Sequence, residues 1–420
     1  MKKVFLFFCA LALRLAVAPV YHHSDPDNYY YWGKYLWKTK DFLGFLEKSI
    51  PNAMPATYPP VFYYLLFVWR GLYEFLEKIL WWLNLKVAFF PSNFIFWFQS
   101  YGAGIAFNKL IAIVADLFCG YLILKIVKEI GGSRKFGLVA AIAFLFLPAS
   151  WYISAYWGQI ESLYSLFVLL SFFLVFKDRF LWGTMTLGLS ALIKPTGLFV
   201  LPVFLVYVLK KKKFIDLILG GVFLVLIAYL LYFPFQPINT LPWAVSFYFG
   251  SFKGELNYLV SNAFNFWTLL FGFDQRPDNF LFLGVPLFSY GFLIFLSIAG
   301  GICFGLWKKQ SKEKLFFAAF LCAFAAFLFL PRMHERYFFT AYIFLAILSG
   351  INKKYFYIFI IMSIFHFFNL YHFWWHPKIP WLIGLLSNMT VIRGIIGISL
   401  GIFLYTLINF LKNEPFDNHR

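Results

Sequence analysis

Two arginines, a histidine and a glutamate lie close together between two long apolar runs. The segment 330–338 contains Arg332, His334, Glu335 and Arg336. Charge at a membrane boundary is costly unless it is solvated, paired or bound to a ligand, so such a cluster indicates a functional site by default. Guanidinium and imidazole groups suit an anion, and together with the other polar segments the cluster points to an anionic, lipid-linked substrate.

A second polar segment, residues 21–32, supplies carboxylates among aromatic side chains. Asp25 or Asp27 could remove a proton from an attacking hydroxyl group, and aromatic rings beside such a base are typical partners of a sugar face. An alternative role for Asp25 is a helix N-cap, because Pro26 follows it and fits the first helical position.

The same segment contains side chains of types that bind metals. His22 and His23 precede Asp25 and Asp27, but adjacent histidines and alternate aspartates are a weak signal for a divalent metal. We therefore expect no metal and no other cofactor.

The composition is that of a polytopic helical membrane protein. The 420 residues are 62% hydrophobic and 13% charged, and the mean hydropathy is +0.75, which exceeds soluble norms. The net charge of +18 comes from Lys and Arg in short loops between apolar runs. We read that charge as membrane topology and not as nucleic-acid binding. The four cysteines lie in apolar runs without CxxC spacing, which argues against disulfides and zinc.

We predict an all-α transmembrane bundle forming one domain, residues 1–420. A bilayer crossing takes about 20 apolar residues. The sequence then gives twelve spans, near residues 4–20, 104–124, 136–155, 158–176, 180–193, 196–209, 214–233, 281–307, 315–331, 337–351, 355–371 and 384–411. The first resembles a cleavable signal peptide, but Arg14 within it favours a retained span.

The cationic loops fall on alternate sides of these spans, which predicts cytoplasmic termini. Residues 21–103 then form a large external loop, with aromatic-rich interfacial helices at 60–80 and 92–100. Residues 234–280 form a second external loop, and residues 281–420 complete the helical part. The polar segments therefore share the extracytoplasmic face of a cell membrane.

Lys194 and Pro195 separate two unusually short spans. Their 14 to 15 residues reach only roughly 21 Å, less than a hydrocarbon core of about 30 Å. We expect a recessed turn with Lys194 lining an external cavity. The alternative is a lysine that extends to the membrane surface.

The order of the polar motifs resembles the integral-membrane GT-C glycosyltransferases, specifically prokaryotic mannosyltransferases related to the PIG-V type GPI mannosyltransferase. The matching residues are Asp25 with Trp32, Tyr58-Pro59-Pro60, Trp157-Gly158-Gln159-Ile160-Glu161, Lys194-Pro195, Asn265-Phe266-Trp267 and Arg332-Met333-His334-Glu335-Arg336. Glu161 stands where an Asp is more usual. Pro26 interrupts the first motif, so the base is either Asp25 or Asp27.

The resemblance implies a GT-C fold and inverting transfer of a sugar, with mannose expected, from a polyprenyl-phosphate donor to a glycan, glycolipid or protein. It implies that Arg332, His334, Arg336 and Lys194 bind the donor phosphate. It further implies substrate binding by Trp32, Tyr58, Trp157, Gln159, Glu161, Asn265, Trp267 and Glu335. From their chemistry, Gln159 and Glu161 could instead tie helices together, and Glu335 could simply pair with an arginine.

Two other function classes are compatible with the composition. A transporter or lipid flippase usually has internal repeats and polar residues in both halves, and neither pattern is evident here. A transferase of whole glycans would share the fold and the basic site.

Remaining intramembrane polar residues have structural explanations. Arg14 and Asp116 lie in the first two spans, and we expect them to pair. His366, His372 and His376 accompany Trp374 in an aromatic run typical of a membrane interface, and we assign them no catalytic role.

Overall fold

The computed structural model describes residues 2–253 and 257–412. Its α-helices are α1 (Lys2–Val17), α2 (Ser24–Thr39), α3 (Pro60–Lys86), α4 (Ser92–Gln99), α5 (Tyr101–Glu129), α6 (Arg134–Phe146), α7 (Pro148–Trp151), α8 (Glu161–Phe176), α9 (Phe180–Ile193), α10 (Leu201–Lys210), α11 (Phe214–Tyr232), α12 (Thr240–Lys253), α13 (Phe266–Phe271), α14 (Leu287–Lys308), α15 (Lys312–Phe329), α16 (Phe339–Ser349), α17 (Lys353–Trp374), α18 (Pro380–Leu386) and α19 (Met389–Leu411). The 3₁₀ turns are Phe45–Glu47, Pro195–Val200 and Glu335–Phe338, Tyr152–Trp157 is a π-helical turn, and the two-residue strands are β1 (Val260–Ser261), β2 (Leu281–Phe282), β3 (Val285–Pro286) and β4 (Met333–His334).

Two predictions extend beyond the described residues. The cytoplasmic placement of the termini concerns Met1 and residues 413–420, which lie outside them. Residues 254–256 of the predicted second external loop also lie outside them.

The apolar runs form helices, and the all-α prediction is confirmed. Two predicted boundaries are wrong. The run at 281–307 becomes helical only at Leu287, because β2 and β3 form a hairpin before it. The run at 384–411 is divided between α18 and α19, since the chain turns at Ser387 and Asn388.

By length and apolar composition, five described helices are able to cross a bilayer, namely α5, α11, α14, α17 and α19. A sixth candidate is the stretch from α6 to the π-helical turn, bent by 49° where Pro148 starts α7. The residue before a proline avoids helical geometry, which explains the break. The predicted total of twelve spans is not confirmed, because helices such as α8 and α9 are too short to qualify alone.

Helices α15 and α16 form the centre of the bundle. From Lys314 onward every residue of α15 is buried, and so is every residue of α16, as expected for helices that are apolar on all sides. The segment Leu330–Phe338 connects them, so the predicted phosphate cluster sits on two fully packed helices. By contrast, α11 exposes most of its apolar surface.

The region predicted as the first external loop is largely helical. Helices were expected near 60–80 and 92–100, where α3 and α4 lie. The segment containing Asp25 and Asp27 also forms a helix, α2, which packs on α3 and α5. A helix in this segment was considered only through the N-cap alternative for Asp25.

A short parallel ladder joins the region after α12 to the cluster. Val260 pairs with Met333 and Ser261 pairs with His334. Asn369 of α17 holds the same region, since its amide accepts from the Phe264 N–H at 2.9 Å and donates to the Asn262 carbonyl at 2.8 Å. The backbone at His334 is therefore fixed by two elements distant in sequence.

Candidate active site

Asp25 lies in the first turn of α2 and faces the Trp157–Glu161 motif. Its Oδ2 accepts hydrogen bonds from Trp157 Nε1 at 3.3 Å and from Gln159 Nε2. The N-cap role considered for Asp25 is wrong, because His23 is the N-cap residue and its ring accepts from the Asp25 N–H. The Asp25 carboxylate is thus available for chemistry.

Several charges act on the Asp25 carboxyl. Burial alone would raise its pKa, but the His23 ring, whose Nδ1 lies 2.9 Å from Oδ2, and the positive charge of Arg336 outweigh burial. The hydrogen bond from Trp157 acts in the same direction, and the pKa lies well below its usual value. Asp25 is therefore ionised at neutral pH and able to accept a proton.

Asp27 points to a different set of partners. Its Oδ1 contacts His22 Nε2 at 2.8 Å and accepts a hydrogen bond from the Tyr101 hydroxyl. Residues two apart on a helix project about 200° apart. The structure accordingly brings Asp25, and not Asp27, together with the Gln159 motif.

The turn after the π-helical segment needs glycine. Gly158 has φ of +100°, and a Cβ built there would lie 2.5 Å from Pro26 Cγ and 3.1 Å from Lys109 Cε. A side chain at this position would push α2 away from the Gln159 motif. Gly158 therefore permits the close approach that places Asp25 against Trp157 and Gln159.

Lys109 of α5 holds this junction, a role that sequence reasoning missed. Its Nζ donates to the carbonyls of Ala18, Tyr21, Ala155 and Tyr156. Two of these groups come from the segment between α1 and α2, and the other two come from the π-helical turn. A lysine within a long apolar run was the only available signal.

A hydroxyl chain connects Gln159 to Tyr58. Gln159 Oε1 accepts from the Tyr29 hydroxyl at 3.2 Å, and the hydroxyls of Tyr29 and Tyr58 lie 2.9 Å apart. Lys194 Nζ lies 5.8 Å from the centre of the Tyr58 ring. Tyr29 was not among the predicted site residues, although it lies in the predicted aromatic segment.

Lys194, Glu161 and Arg336 form the centre of a buried ion cluster. Lys194 Nζ donates to Glu161 Oε1, and Arg336 Nε lies 3.5 Å from the same oxygen. The rings of Tyr164 and Tyr337 lie within 5.6 Å and 5.1 Å of Lys194 Nζ. Burial lowers the pKa of Lys194, and the negative charge of Glu161 opposes that effect.

Glu335 and His334 extend the cluster. Arg336 Nη1 donates to Glu335 Oε1 at 2.7 Å, and His334 Nδ1 lies 3.9 Å from Glu335 Oε2. Burial raises the pKa of Glu335. Burial, Arg336 and Lys194 together lower the pKa of His334 well below its usual value, so the imidazole is neutral at pH 7.

Several atoms in this cluster are buried without a hydrogen-bond partner. They are Glu161 Oε2, Glu335 Oε2, His334 Nδ1 and Arg336 Nε. Buried polar atoms are normally satisfied, and exceptions need an explanation such as a missing ligand. The side chain of His334 is 26% exposed, so one edge of the cluster is accessible.

Arg332 does not join the other predicted phosphate ligands. Its Nε donates to Asp278 Oδ2 and its guanidinium lies 5.5 Å from the Phe288 ring. A φ of +60° turns the chain at this residue. The structure gives Arg332 a bracing role between the end of α15 and the region before α14.

In three residues predicted to bind substrate, the polar side-chain group is hydrogen-bonded to the protein backbone. Asn265 caps α13 by accepting from the N–H groups of Trp267 and Thr268. Trp267 Nε1 donates to the Phe329 carbonyl at 2.9 Å, and Trp32 Nε1 donates to the Met54 carbonyl at 3.0 Å. These bonds hold loops in place and leave no indole N–H for a ligand.

The aromatic run at the end of α17 packs beside the residues that contact Asp25, which sequence reasoning also missed. Trp157 stacks on Phe373 with ring centres 5.5 Å apart, and the Trp374 ring lies 5.4 Å from His23. The predicted interfacial belt therefore also forms part of the wall around the carboxylate.

Within residues 2–253 and 257–412, no group of three or more His, Cys, Asp or Glu side chains is arranged to hold a metal ion. His22 and His23 each contact a different aspartate. The absence of a metal requirement stays a prediction.

A family model of the glycosyltransferases matches residues 56–331. The chain belongs to glycosyltransferase family 87. The matched range contains Tyr58, the Trp157–Glu161 motif and Lys194, but neither Asp25 nor the His334–Arg336 cluster. The association of these last residues with the others therefore comes from the three-dimensional structure.

The fold is similar to that of ArnT from Cupriavidus metallidurans. Its crystal structure bound to undecaprenyl phosphate aligns with a TM-score of 0.53 and 15% identity, over 98% of this chain and 77% of that chain. The apo structure gives 0.55 and 15%, over 98% and 76%. The GT-C fold prediction is confirmed, whereas the relation to PIG-V type mannosyltransferases is not. No curated protein matches the sequence.

Proposed function

We propose that this glycosyltransferase moves a sugar, with mannose as the expected one, from a polyprenyl-phosphate donor to an acceptor hydroxyl with inversion. The observation that supports this most directly is the proximity of Asp25 to the cations of Lys194 and Arg336. Hydrogen bonds run from Asp25 through Gln159 and Tyr29 to Tyr58, and the Tyr58 ring lies 5.8 Å from Lys194 Nζ. The charge of Arg336 also lowers the pKa of Asp25, so the proposed base and the proposed anion site are close enough to act on one substrate.

The proposed reaction uses these two parts together. Asp25 takes the proton from the acceptor hydroxyl as its oxygen bonds to the anomeric carbon. The bond from that carbon to the phosphate oxygen breaks, and its electron pair leaves with the lipid phosphate. Lys194, Arg336 and His334 stabilise the negative charge that develops there, which is most effective in a site with little water.

The donor class is supported by two observations. Lys194 is buried and the Arg336 side chain is only 14% exposed, as expected for binding the phosphate of a lipid carrier. ArnT, which shares the fold, has been solved with undecaprenyl phosphate. In addition, the sequence has no Gly-rich phosphate loop of the nucleotide-binding kind.

Glu161 and Glu335 neutralise the cations when no donor is bound. Asp25 adds a third carboxylate to a cluster that contains the basic side chains of Lys194 and Arg336. An incoming phosphate must therefore displace a carboxylate contact or bring a proton. Glu161 is better placed than Glu335 to release its contacts to an incoming phosphate, because it contacts both Lys194 and Arg336. Its Oε2, which has no hydrogen-bond partner, is then available to a sugar hydroxyl.

A direct assay tests the proposed function. Purified protein is incubated with polyprenyl phosphates carrying mannose, glucose or arabinose, together with glycolipid, glycan and peptide acceptors. We expect release of polyprenyl phosphate and a product one sugar heavier, with mannose preferred, and neither in Asp25→Asn. Movement of intact donor between leaflets without release would instead support the flippase alternative.

The proposed sidedness rests on the positive-inside rule. In a cysteine-free variant, a cysteine at the exposed position Ser24 should react with an impermeant maleimide from outside intact cells, and one at Lys309 should not. The reverse labelling pattern would place the sugar chemistry in the cytoplasm.

A further inference from the structure

A groove runs between α17 and α19, away from the candidate active site. Its volume is about 940 Å³, within the size range of ligand pockets. Its lining residues are Asn352, Lys353, Lys354, Tyr357, Ile358, Ile361, Ile398, Gly401, Ile402 and Tyr405. The lining is cationic at one end and apolar along its length.

The cationic end carries two adjacent exposed lysines at the start of α17. Lys354 Nζ lies 4.1 Å from the centre of the Tyr405 ring, and Lys353 Nζ lies 5.9 Å from the Tyr357 ring. These rings hold both ammonium groups at the rim of the groove. Lysine ammonium groups are common phosphate binders.

Gly401 widens the groove in the middle of α19. A Cβ built on this glycine meets no atom within 4 Å, so packing within the protein does not require glycine. Glycine inside a helix is less favourable than alanine. The missing side chain instead leaves room for a molecule in the groove.

The groove opens on the side of the bundle opposite the ion cluster. Helix α16 starts directly after Arg336 and runs to Ser349, and α17 begins at Lys353 after a short turn. The lysines therefore lie at the far end of α16 from His334. The groove is separate from the space where donor and acceptor would react.

We propose that this groove binds an anionic glycerophospholipid from the membrane leaflet at the Lys353 end of α17. Its phosphodiester lies at Lys353 and Lys354, and an acyl chain runs along the isoleucines past Gly401. The two lysines at the rim carry the charge opposite to that of an anionic head group. They lie at one end of the groove and leave its apolar length open to the acyl chain. Basic pockets between membrane helices bind anionic lipid head groups in this manner.

The test measures lipid binding to the purified full chain in detergent, with phosphatidylglycerol and phosphatidylcholine as probes. With about 1 kcal/mol for each lysine near the head group, we expect roughly 10- to 30-fold tighter binding of phosphatidylglycerol. Lys353→Gln/Lys354→Gln should abolish this preference. Lys308→Gln/Lys309→Gln removes an exposed lysine pair at the end of α14 and should preserve it.

A second variant tests the apolar part. Gly401→Leu fills open space and favours the helix, so the protein should fold while the affinity for both lipids falls at least tenfold. Equal binding of the two lipids by the wild type would overturn the proposal. So would a preference that survives in the Lys353/Lys354 variant, or competition by soluble glycerophosphate that Gly401→Leu does not alter. Sugar transfer is not the readout, so the result is independent of the proposed function.

Discussion

Two clusters of buried charge in this protein differ in how completely they are paired. In the first, Arg14 donates to Asp116 at 2.8 Å, to the Leu145 carbonyl at 2.9 Å and to Ser150 Oγ at 3.1 Å. Asp116 also accepts from the hydroxyls of Ser154 and Ser162. The predicted pairing of Arg14 with Asp116 is confirmed, and the network joins α1 to its neighbours.

The second cluster has the same kinds of residues but is incompletely bonded. Glu161, His334, Glu335 and Arg336 each retain a buried polar atom without a hydrogen-bond partner. Lys194 has Glu161 as its ion-pair partner. A closed network stabilises a fold without any ligand, whereas one with unpaired buried atoms is costly unless a ligand completes it.

The comparison therefore separates a structural cluster from a functional one more clearly than the sequence does. Both clusters place arginine and carboxylate near apolar runs. Their difference lies in hydrogen bonding. The following variants test it.

Asp25→Asn should have the largest effect. The amide keeps an oxygen for Trp157 and Gln159 but accepts no proton, so turnover should fall by about 10² to 10⁴ with thermal stability unchanged. Asp27→Asn is the matched control and should stay active. If only Asp27→Asn is inactive, the base is Asp27, and activity in both variants would refute base catalysis by this helix.

Arg14→Leu should affect stability and not catalysis. It leaves Asp116 buried and unpaired, which lowers the free energy of unfolding by roughly 3–5 kcal/mol. The double variant Arg14→Leu/Asp116→Leu should recover much of this loss in a denaturant titration. A stable Arg14→Leu protein with reduced turnover would mean that the first cluster is also functional.

Arg336→Ala and His334→Ala should each weaken binding of polyprenyl phosphate by about 1.5–3 kcal/mol, the scale of a hydrogen bond to a charged group. Arg336→Lys should recover part of it, because a point charge replaces a planar fork. Arg332→Ala removes the bond to Asp278 and should lower stability but preserve affinity. Unchanged affinity in both alanine variants would exclude the second cluster from donor binding.

The pH dependence of that affinity should identify His334. The pKa of His334 is low in the free protein, and a bound phosphate raises it, so binding takes up a proton. Affinity should therefore increase as the pH falls through the higher pKa of the complex, by at most about tenfold per pH unit. Titration calorimetry between about pH 8 and pH 6 should show this increase in the wild type and not in His334→Ala.

Glu161→Gln should have the smallest effect and the opposite sign. It removes the carboxylate that competes with phosphate for Lys194 and Arg336, so polyprenyl phosphate should bind roughly two- to tenfold more tightly. Glu335→Gln, which contacts Arg336 but not Lys194, should change affinity less. Weaker binding in Glu161→Gln would show that Glu161 mainly positions Lys194.

Sequence reasoning predicted the helices best where an apolar run is long. Helices α5, α11 and α17 follow from composition alone, because a backbone in or beside lipid must satisfy its own hydrogen bonds. Shorter apolar runs, such as the two around Lys194, were correctly predicted to be helical. The prediction that they cross the membrane is not confirmed. The helix at Asp25 was considered only through the N-cap alternative, because α2 begins with a polar turn and contains no long apolar run.

The sequence by itself determined the fold class, the separation of the polar motifs and the side-chain types available for chemistry, since these depend on local composition. Only the tertiary structure decided which of those side chains meet. The rotation of α2 against α3 and α5 turns Asp25 toward Trp157 and Gln159 and leaves Asp27 with other partners. The turn at Arg332 directs that guanidinium to Asp278. Such choices depend on contacts between residues more than 50 positions apart, as with Arg332 and Asp278, and no local pattern encodes them.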